Sequence, residues 1–235
     1  MRQVSVQERL TYISDAALGA VDVFTRAGSL IGTITGLSEP QSVFVDAGHD
    51  LWVANTTGNG SSGGNILEYA RGGTSPIASL SDAGNYPVDV TICGKGTVDA
   101  SNIFNLQTGI GSISMYANGA TSPTGILQYP GQSTNDFITC DAKGNVFTTL
   151  MLTSGPEVVE YPDGNQSAAK IVPIPLAIAG GIKACEGHLY VAGGNGIVEY
   201  TESGLPTGKS IAANVVDIGL TRGCGVVGGA VASLD

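Results

Sequence analysis

The chain has 235 residues, which is long enough to bury a full hydrophobic core as one domain. Acidic side chains number twenty against ten basic ones, and the net charge of −10 argues against a nucleic-acid partner, which needs a basic surface. No stretch approaches the roughly 18 apolar residues of a membrane span, so no transmembrane segment is expected. Only 13% of the residues are charged while 35 are glycine, a composition typical of short strands joined by tight turns.

The first predicted elements are three strands in residues 10–36, "LTYISDAALGAVDVFTRAGSLIGTITG". They are interpreted as the second, third and fourth strands of a four-stranded unit that has no first strand before them. The first 15 residues, "MRQVSVQERLTYISD", overlap the first of these strands and lack the apolar core of a signal peptide. We therefore expect either a cytoplasmic protein or an exported one whose leader is not part of this chain.

The next segment, residues 40–80, contains a full unit of four strands. "PQSVFVDAGHDLWVANTT" gives two strands around the turn "DAGHD", "GNILEYARGG" gives a third, and "SPIASL" gives a fourth. Alternation of period two, broken by Gly, Pro and Asn, favours strands over helices here. The same order recurs in residues 134–174 and 178–212, and in a more irregular form in residues 86–127.

One aromatic residue marks the third strand of each unit at separations of 45, 47, 45 and 39 residues: Phe24, Tyr69, Tyr116, Tyr161 and Tyr200. A period of this length with four antiparallel strands per unit is typical of a β-propeller blade. The aromatic is constant, which predicts packing between neighbouring blades. The preceding glutamate is not constant, because Val23 and Met115 take its place, so these glutamates do not form a catalytic set.

The chain ends on "NVVDIGLTRGCGVVGGAVASLD", which is interpreted as an inner strand and a possible second strand. Residues 215–235 would complete the blade begun by residues 10–36 and hide its edge. The sequence thus predicts an all-β fold, with residues 1–235 forming a single β-propeller domain of four-stranded antiparallel blades. It has five blades if the termini close the ring; the alternative is an incomplete six-bladed ring.

Three matches to known functional motifs are rejected because the surrounding sequence or the spacing does not fit the motif. "GNGSSGG" matches a dinucleotide-binding loop and a serine nucleophile elbow, but both need a helix directly afterwards and "NILEY" is a strand. "GLPTGKS" has one residue too few for a phosphate-binding loop. His49 and His188 lie at turns, where turn formers stand in a sister repeat, so both are predicted to have turn or surface roles.

Candidate ligand-binding residues lie at the start of the innermost strand of each blade. Their polar side chains are predicted to face the central channel or its mouth: Gln41, Asp89, Asp136 and Asp217. Converging carboxylates either repel or hold a cation such as Ca²⁺. The alternative is that they bind backbone amides of neighbouring blades or channel water. No catalytic residue and no confident cofactor is assigned.

The four cysteines, Cys93, Cys140, Cys185 and Cys224, allow three disulfide pairings and include no CxxC pair. Because so large a core needs no covalent support, buried or unreactive thiols are expected in place of a disulfide framework.

"GLSEPQSVFVDAGHDLWVANT" with "NILEY" resembles the blades of NHL-type and streptogramin-lyase-like bacterial β-propellers, over almost the whole chain. The resemblance implies an exported bacterial protein and no particular activity. The first hypothesis is a non-catalytic binding or scaffold propeller that holds an unknown small molecule, glycan or protein at the channel mouth. The alternative is a lactonase- or lyase-like enzyme that uses a divalent cation in the central channel.

Overall fold

The computed structural model describes residues 10–58, 60–94, 96–193 and 196–211, which form strands, tight turns and three single-turn 3-10 segments. The first sheet, blade 1, contains β1 (Leu10–Asp15), β2 (Ala20–Thr25) and β3 (Leu30–Thr35). Blade 2 contains β4 (Pro40–Val45), β5 (Leu51–Asn55), β6 (Gly63–Tyr69) and β7 (Pro76–Ala83). Blade 3 contains β8 (Asn85–Cys93), β9 (Thr97–Asn105), β10 (Ser112–Tyr116) and β11 (Gly125–Leu127).

Blade 4 contains β12 (Gln132–Cys140), β13 (Val146–Leu152), β14 (Gly155–Tyr161) and β15 (Lys170–Val172). Blade 5 contains β16 (Ile182–Cys185), β17 (His188–Ala192), β18 (Ile197–Thr201) and β19 (Pro206–Ile211). The 3-10 segments are Gly60–Ser62, Pro162–Gly164 and Gln166–Ala168.

The five sheets form a five-bladed β-propeller, as predicted. Within each sheet the strands pair in sequence order and are antiparallel. The first strands of blades 2 to 5 contact one another in turn, β4 with β8, β8 with β12 and β12 with β16, while β1 contacts β4. These strands therefore line the middle of the ring. Blade 1 has three strands among the described residues, and residues 215–235, which were predicted to complete it, lie outside them.

The third-strand tyrosine of each of blades 2 to 5 packs against the preceding blade, which confirms the predicted role for these four residues. Tyr116 of blade 3 lies in one apolar cluster with Trp52 and Ile66 of blade 2. Tyr161 of blade 4 lies in the next cluster with Ile113 of blade 3. Tyr69 and Tyr200 do the same toward blades 1 and 4. Burying a ring of this size provides much of the free energy that joins two blades.

The hydroxyl groups of two of these tyrosines predict opposite responses to removal. Tyr116 donates to the backbone oxygen of Ser81 at 3.2 Å, whereas the buried hydroxyl of Tyr161 has no hydrogen-bond partner among the described residues. We expect Tyr116→Phe to lower the free energy of unfolding by about 0.5–1.5 kcal/mol. Tyr161→Phe should leave it unchanged or raise it, because no bond is lost. Urea denaturation of both variants measures the difference, and an equal loss in the two would contradict this assignment.

The expectation of free thiols is wrong for Cys93 and Cys140, which form a disulfide across 47 residues of sequence. Cys93 ends β8 and Cys140 ends β12, the same position in two consecutive repeats. Because β8 and β12 are neighbouring inner strands, their equivalent ends meet, with the two Cα atoms 5.4 Å apart. The disulfide therefore joins blade 3 to blade 4. None of the cysteines in the described ranges is a free thiol.

The rejected motifs have the predicted local structure. Gly60–Ser62 is a single 3-10 turn that leads directly into β6, and "PTGKSI" is strand β19. His49 lies exposed in the turn after β4 with a φ of 73°, and His188 begins β17 half-buried. Among the described residues there is no helix with the length and apolarity to cross a membrane.

Candidate functional site

Asp89, one of the predicted channel residues, lies buried in the middle of the ring with 1% of its surface exposed. One carboxylate oxygen accepts hydrogen bonds from Ser42 Oγ of blade 2 at 2.5 Å and from the backbone N–H of Val90 at 2.9 Å. The other accepts from the backbone N–H of Ile138 of blade 4 at 3.0 Å and lies 3.6 Å from Lys183 Nζ of blade 5. One side chain thus connects the inner strands of four blades.

Gln41 and Asp136 occupy the equivalent repeat positions but do not join Asp89. Gln41 is exposed, and Asp136 is half-buried and accepts a bond from Thr134 Oγ1 at 3.1 Å. Burial raises the pKa of the Asp136 carboxyl. No hydrogen bond or ion pair of the described chain links any two of the three side chains. Asp217, the fourth predicted residue, lies outside the described residues.

The separation has its cause in the position of a β-bulge. In β4 the pairing with β5 skips Gln41, and in β12 the pairing with β13 skips Asp136, so each is the extra residue of a bulge. In β8 the skipped residue is Val88, one position earlier, and Asp89 stays paired with Ser101. Since neighbouring strand residues point to opposite faces, this shift turns Asp89 inward.

A cleft of about 430 Å³ lies between blades 2 and 3, on the opposite end of the inner strands from the predicted channel residues. Its blade 2 wall contains Asp46, Trp52 and Glu68, with Ala78 and Leu80 behind them. Its blade 3 wall is formed by the end of β8, the start of β9 and the turn after β10, residues 117–121. The cleft therefore combines an apolar floor with acidic side chains at one wall.

Asp46 and Glu68 of this wall converge with a third carboxylate, that of Asp50, and the turn between β4 and β5 positions the two aspartates. Oxygen atoms of Asp46, Asp50 and Glu68 all lie within 4.8 Å of one another. Asp46 accepts the backbone N–H of Asp50 at 3.0 Å and the indole N–H of Trp52 at 3.1 Å. Asp50 accepts the backbone N–H of Arg71 at 3.2 Å. These bonds hold the Asp46 and Asp50 carboxylates in place beside Glu68.

The counterparts of Glu68 in blades 4 and 5 are each neutralised by a lysine on the fourth strand. Glu160 of β14 lies opposite Lys170 of β15 and forms an ion pair of 3.1 Å. Glu199 of β18 pairs with Lys209 of β19, also at 3.1 Å. Burial alone would raise the pKa of Glu199, but hydrogen bonds from its neighbours, Lys209 among them, hold the pKa below its ordinary value.

Glu68 has no such lysine, since the residue opposite it on β7 is Ala78. Burial raises the pKa of Glu68, and the charges of Asp50 and Asp46 raise it further. No hydrogen bond to its carboxylate is present among the described residues. The blade 2 cluster is thus a site where negative charge is brought together and a cation of the sister blades is missing.

The turn adds a further charge in blade 2 that blade 4 does not have. Where blade 2 has Asp50, blade 4 has Asn145, whose amide donates to Asp141 at 2.7 Å. In blade 4 the neutral amide of Asn145 therefore donates a hydrogen bond to Asp141. In blade 2 the equivalent residue, Asp50, places a second negative charge beside Asp46. The arrangement in blade 2 therefore favours a positively charged group in the cleft.

Comparisons with known proteins define the fold class and nothing narrower. No family model and no curated protein matches the chain. Its structure is similar to 454 solved chains, among them a chain of Kuenenia stuttgartiensis hydrazine synthase. That chain is 13% identical in sequence, with a TM-score of 0.68 over 90% of this chain and 74% of its own. A likeness at this identity supports the β-propeller fold.

The cleft residues were not predicted from the sequence. The glutamate before the third-strand aromatic was interpreted only as a repeat position, without regard to the residue opposite it on the fourth strand. The signal was present in the sequence, because "SPIASL" has Ala78 where the sister segments supply Lys170 and Lys209. The meeting of Asp46 and Asp50 with Glu68 depends on the turn geometry, which no repeat pattern reveals.

Proposed function

We propose that this chain is a non-catalytic binding propeller, and that the cleft between blades 2 and 3 binds a small organic cation. The ligand's ammonium group takes the place that a lysine takes in blades 4 and 5. The observation that carries the proposal is Glu68, which lies beside Asp46 and Asp50 and opposite Ala78. Burial and then the charges of Asp50 and Asp46 raise the pKa of Glu68, and a bound cation relieves the repulsion between these charges.

The shape of the cleft favours an organic cation over a bare metal ion. Calcium takes six to eight oxygen ligands at about 2.3–2.6 Å. Among the described residues, both oxygens of Asp46 and one of Asp50 already accept hydrogen bonds. This leaves at most three of the six carboxylate oxygens of the cluster without a bond, which is fewer than the ligands calcium takes. The rest of the lining is mainly apolar, apart from Asn118 and Thr121, and includes the Trp52 indole. Aromatic rings are common partners of ammonium groups. A cation with an apolar body fits both parts.

The alternative function, a lactonase- or lyase-like enzyme, needs a divalent cation in the central channel. Asp89 is the most central of the predicted ligands in the described residues, and it already binds two backbone amides, a hydroxyl group and Lys183. Its charge is matched by a protein side chain. The geometry therefore supports a binding role over metal-assisted chemistry.

Export to an oxidising compartment belongs to the same proposal. The Cys93–Cys140 disulfide supports it, because disulfides persist in extracytoplasmic proteins and are rare where thiols are kept reduced. Mass spectrometry of the chain isolated from its native compartment, after blocking of free thiols, tests this point. Recovery of both cysteines as blocked thiols would contradict export.

Calorimetry with 2-phenylethylammonium and with its neutral analogue 2-phenylethanol tests the binding proposal. We expect saturable binding of the ammonium compound at pH 8 and at least tenfold weaker binding of the alcohol, since only the former supplies the missing charge. Glu68→Gln should weaken binding at least tenfold, or about 1.4 kcal/mol. Ala78→Lys should abolish it, because the new lysine lies opposite Glu68 as Lys170 lies opposite Glu160.

Glu160→Gln is the matched control, as it changes the sister glutamate outside the cleft and should leave the affinity unchanged. Lys95 directly precedes the cleft residue Gly96 in the sequence and lies outside the described residues. The variant Lys95→Ala therefore tests whether this lysine, and not a ligand, supplies the positive charge. Binding that appears only in Lys95→Ala would overturn the proposal, as would equal affinity for amine and alcohol. Binding of Ca²⁺ alone, lost in Glu68→Gln, would replace the organic ligand with a metal ion.

A further inference from the structure

A buried carboxyl group lies directly against the disulfide that joins blades 3 and 4. Asp99 of β9 has no exposed surface, and its Oδ2 lies 2.9 Å from Cys93 Sγ. Its Oδ1 has no hydrogen-bond partner among the described residues. The two sulfur atoms and a carboxylate oxygen of Asp99 all lie within 4.8 Å of one another.

The surroundings make an ionised Asp99 unfavourable. The disulfide belongs to the apolar cluster between blades 3 and 4, with Ile113, Leu127 and Ile138. Burial raises the pKa of Asp99 to about 7, so the carboxyl group carries a proton below that pH. When Cys93 is a thiol, its S–H can donate to Asp99 Oδ2, a bond that a disulfide sulfur without a proton cannot make. The carboxyl group can therefore give its proton to Cys93 when the disulfide opens, and can then accept a hydrogen bond from the Cys93 thiol.

The two sulfur atoms differ in access. Cys93 is 5% exposed, and Cys140 is half-buried at the end of β12. An incoming thiol therefore reaches Cys140, and Cys93, the sulfur beside Asp99, is the one that leaves. Exchange is faster when the leaving sulfur is a better leaving group. A proton donor at Cys93 supplies that advantage.

We propose that Cys93–Cys140 is a site of thiol–disulfide exchange with small dithiols, in which Asp99 gives a proton to Cys93 as the disulfide opens and takes it back as the disulfide re-forms.

The step balances with a dithiol as the two-electron reductant. One thiolate of the reductant attacks Cys140 Sγ, and the Cys93–Cys140 bond breaks with its electron pair on Cys93. Cys93 takes the proton of Asp99 and becomes a thiol that donates to the resulting carboxylate. The second thiolate of the reductant then displaces Cys140, which leaves as a thiolate and is protonated by solvent. The reductant becomes a cyclic disulfide.

The test follows reduction of the full chain by dithiothreitol, with alkylation of free thiols and mass-spectrometric mapping of the Cys93 and Cys140 peptides. The rate constant is expressed per concentration of dithiothreitol thiolate, which removes the reductant's own pH dependence. In the wild-type chain we expect it to fall at least tenfold between pH 5.5 and pH 8.5, as Asp99 loses its proton. In Asp99→Asn we expect it to be low and the same at both pH values.

Asp82→Asn is the matched control, because Asp82 is equally buried but bonds to Asn85 and Ser114, and it should keep the wild-type profile. A rate constant that does not change with pH in the wild-type chain overturns the proposal, and it decides the matter even if Asp99→Asn does not fold. The proposal is also overturned if the chain as isolated carries one zinc ion held by reduced Cys93 and Cys140. Neither outcome bears on the cleft.

Discussion

Asp89→Ala is expected to lower the free energy of unfolding by about 3–5 kcal/mol, the usual cost of removing one partner of a buried ion pair. The variant leaves the buried Ser42 hydroxyl and the Ile138 amide without their acceptor. It also removes the carboxylate beside Lys183, whose side chain is 17% exposed. Urea denaturation followed by circular dichroism measures the loss.

The matched control for this variant is Asp136→Ala, at the equivalent position of the next repeat. Asp136 is half-buried, and its one side-chain hydrogen bond among the described residues is to Thr134 in its own strand, so we expect a change of about 1 kcal/mol or less. Equal losses in the two variants would show that the link between blades is not what makes Asp89 important. A large loss in Asp89→Ala alone supports its role in joining the inner strands.

The second large effect is in the dependence of stability on pH. Asp99 has a pKa of about 7 in the folded chain against 3.8 for the free carboxyl group. Between these values the folded state holds the proton and the unfolded state does not, so stability falls as pH rises from about 4 to about 7. A pKa difference of about three corresponds to a loss of order 4 kcal/mol across this window.

Asp99→Asn removes this contribution, so the variant should lose less stability than the wild-type chain between pH 4 and pH 8. Glu68, Asp82 and Asp136 also have raised pKa values and remain in both proteins, so the difference between the two curves isolates Asp99. Asp163→Asn, an exposed position in a turn, should follow the wild-type curve. Parallel curves for wild type and Asp99→Asn would contradict the assignment.

The architecture was predictable because each blade repeats the same periodic signals. The aromatic of the third strand recurs at nearly constant separation, and the structure packs each described tyrosine of this set onto the preceding blade. The disulfide could also have been predicted from the repeats, since Cys93 and Cys140 occupy the equivalent position in two consecutive repeats. The general expectation that a large core needs no disulfides led to the opposite prediction.

The sites were less predictable because they depend on where repeats differ by one residue. A bulge at Val88 instead of at the next position turns Asp89 into the ring, and no pattern in "YPVDVTIC" indicates this shift. Nothing in the sequence distinguishes Asp99, because a carboxylate in a predicted strand is normally solvated. Its contact with Cys93 arises from the pairing of two strands and their packing on blade 4.

The position of Asp89 also bears on cooperativity. A protein whose units contact only their neighbours can unfold unit by unit, as linear repeat arrays do. The tyrosine contacts of this propeller are all of that neighbouring kind, whereas Asp89 of blade 3 reaches Lys183 of blade 5. Such a contact is lost as soon as any one of several blades detaches. Its loss raises the free energy of partly unfolded states in which the ring is open. The Asp89 carboxylate therefore favours cooperative unfolding of the propeller in a single transition.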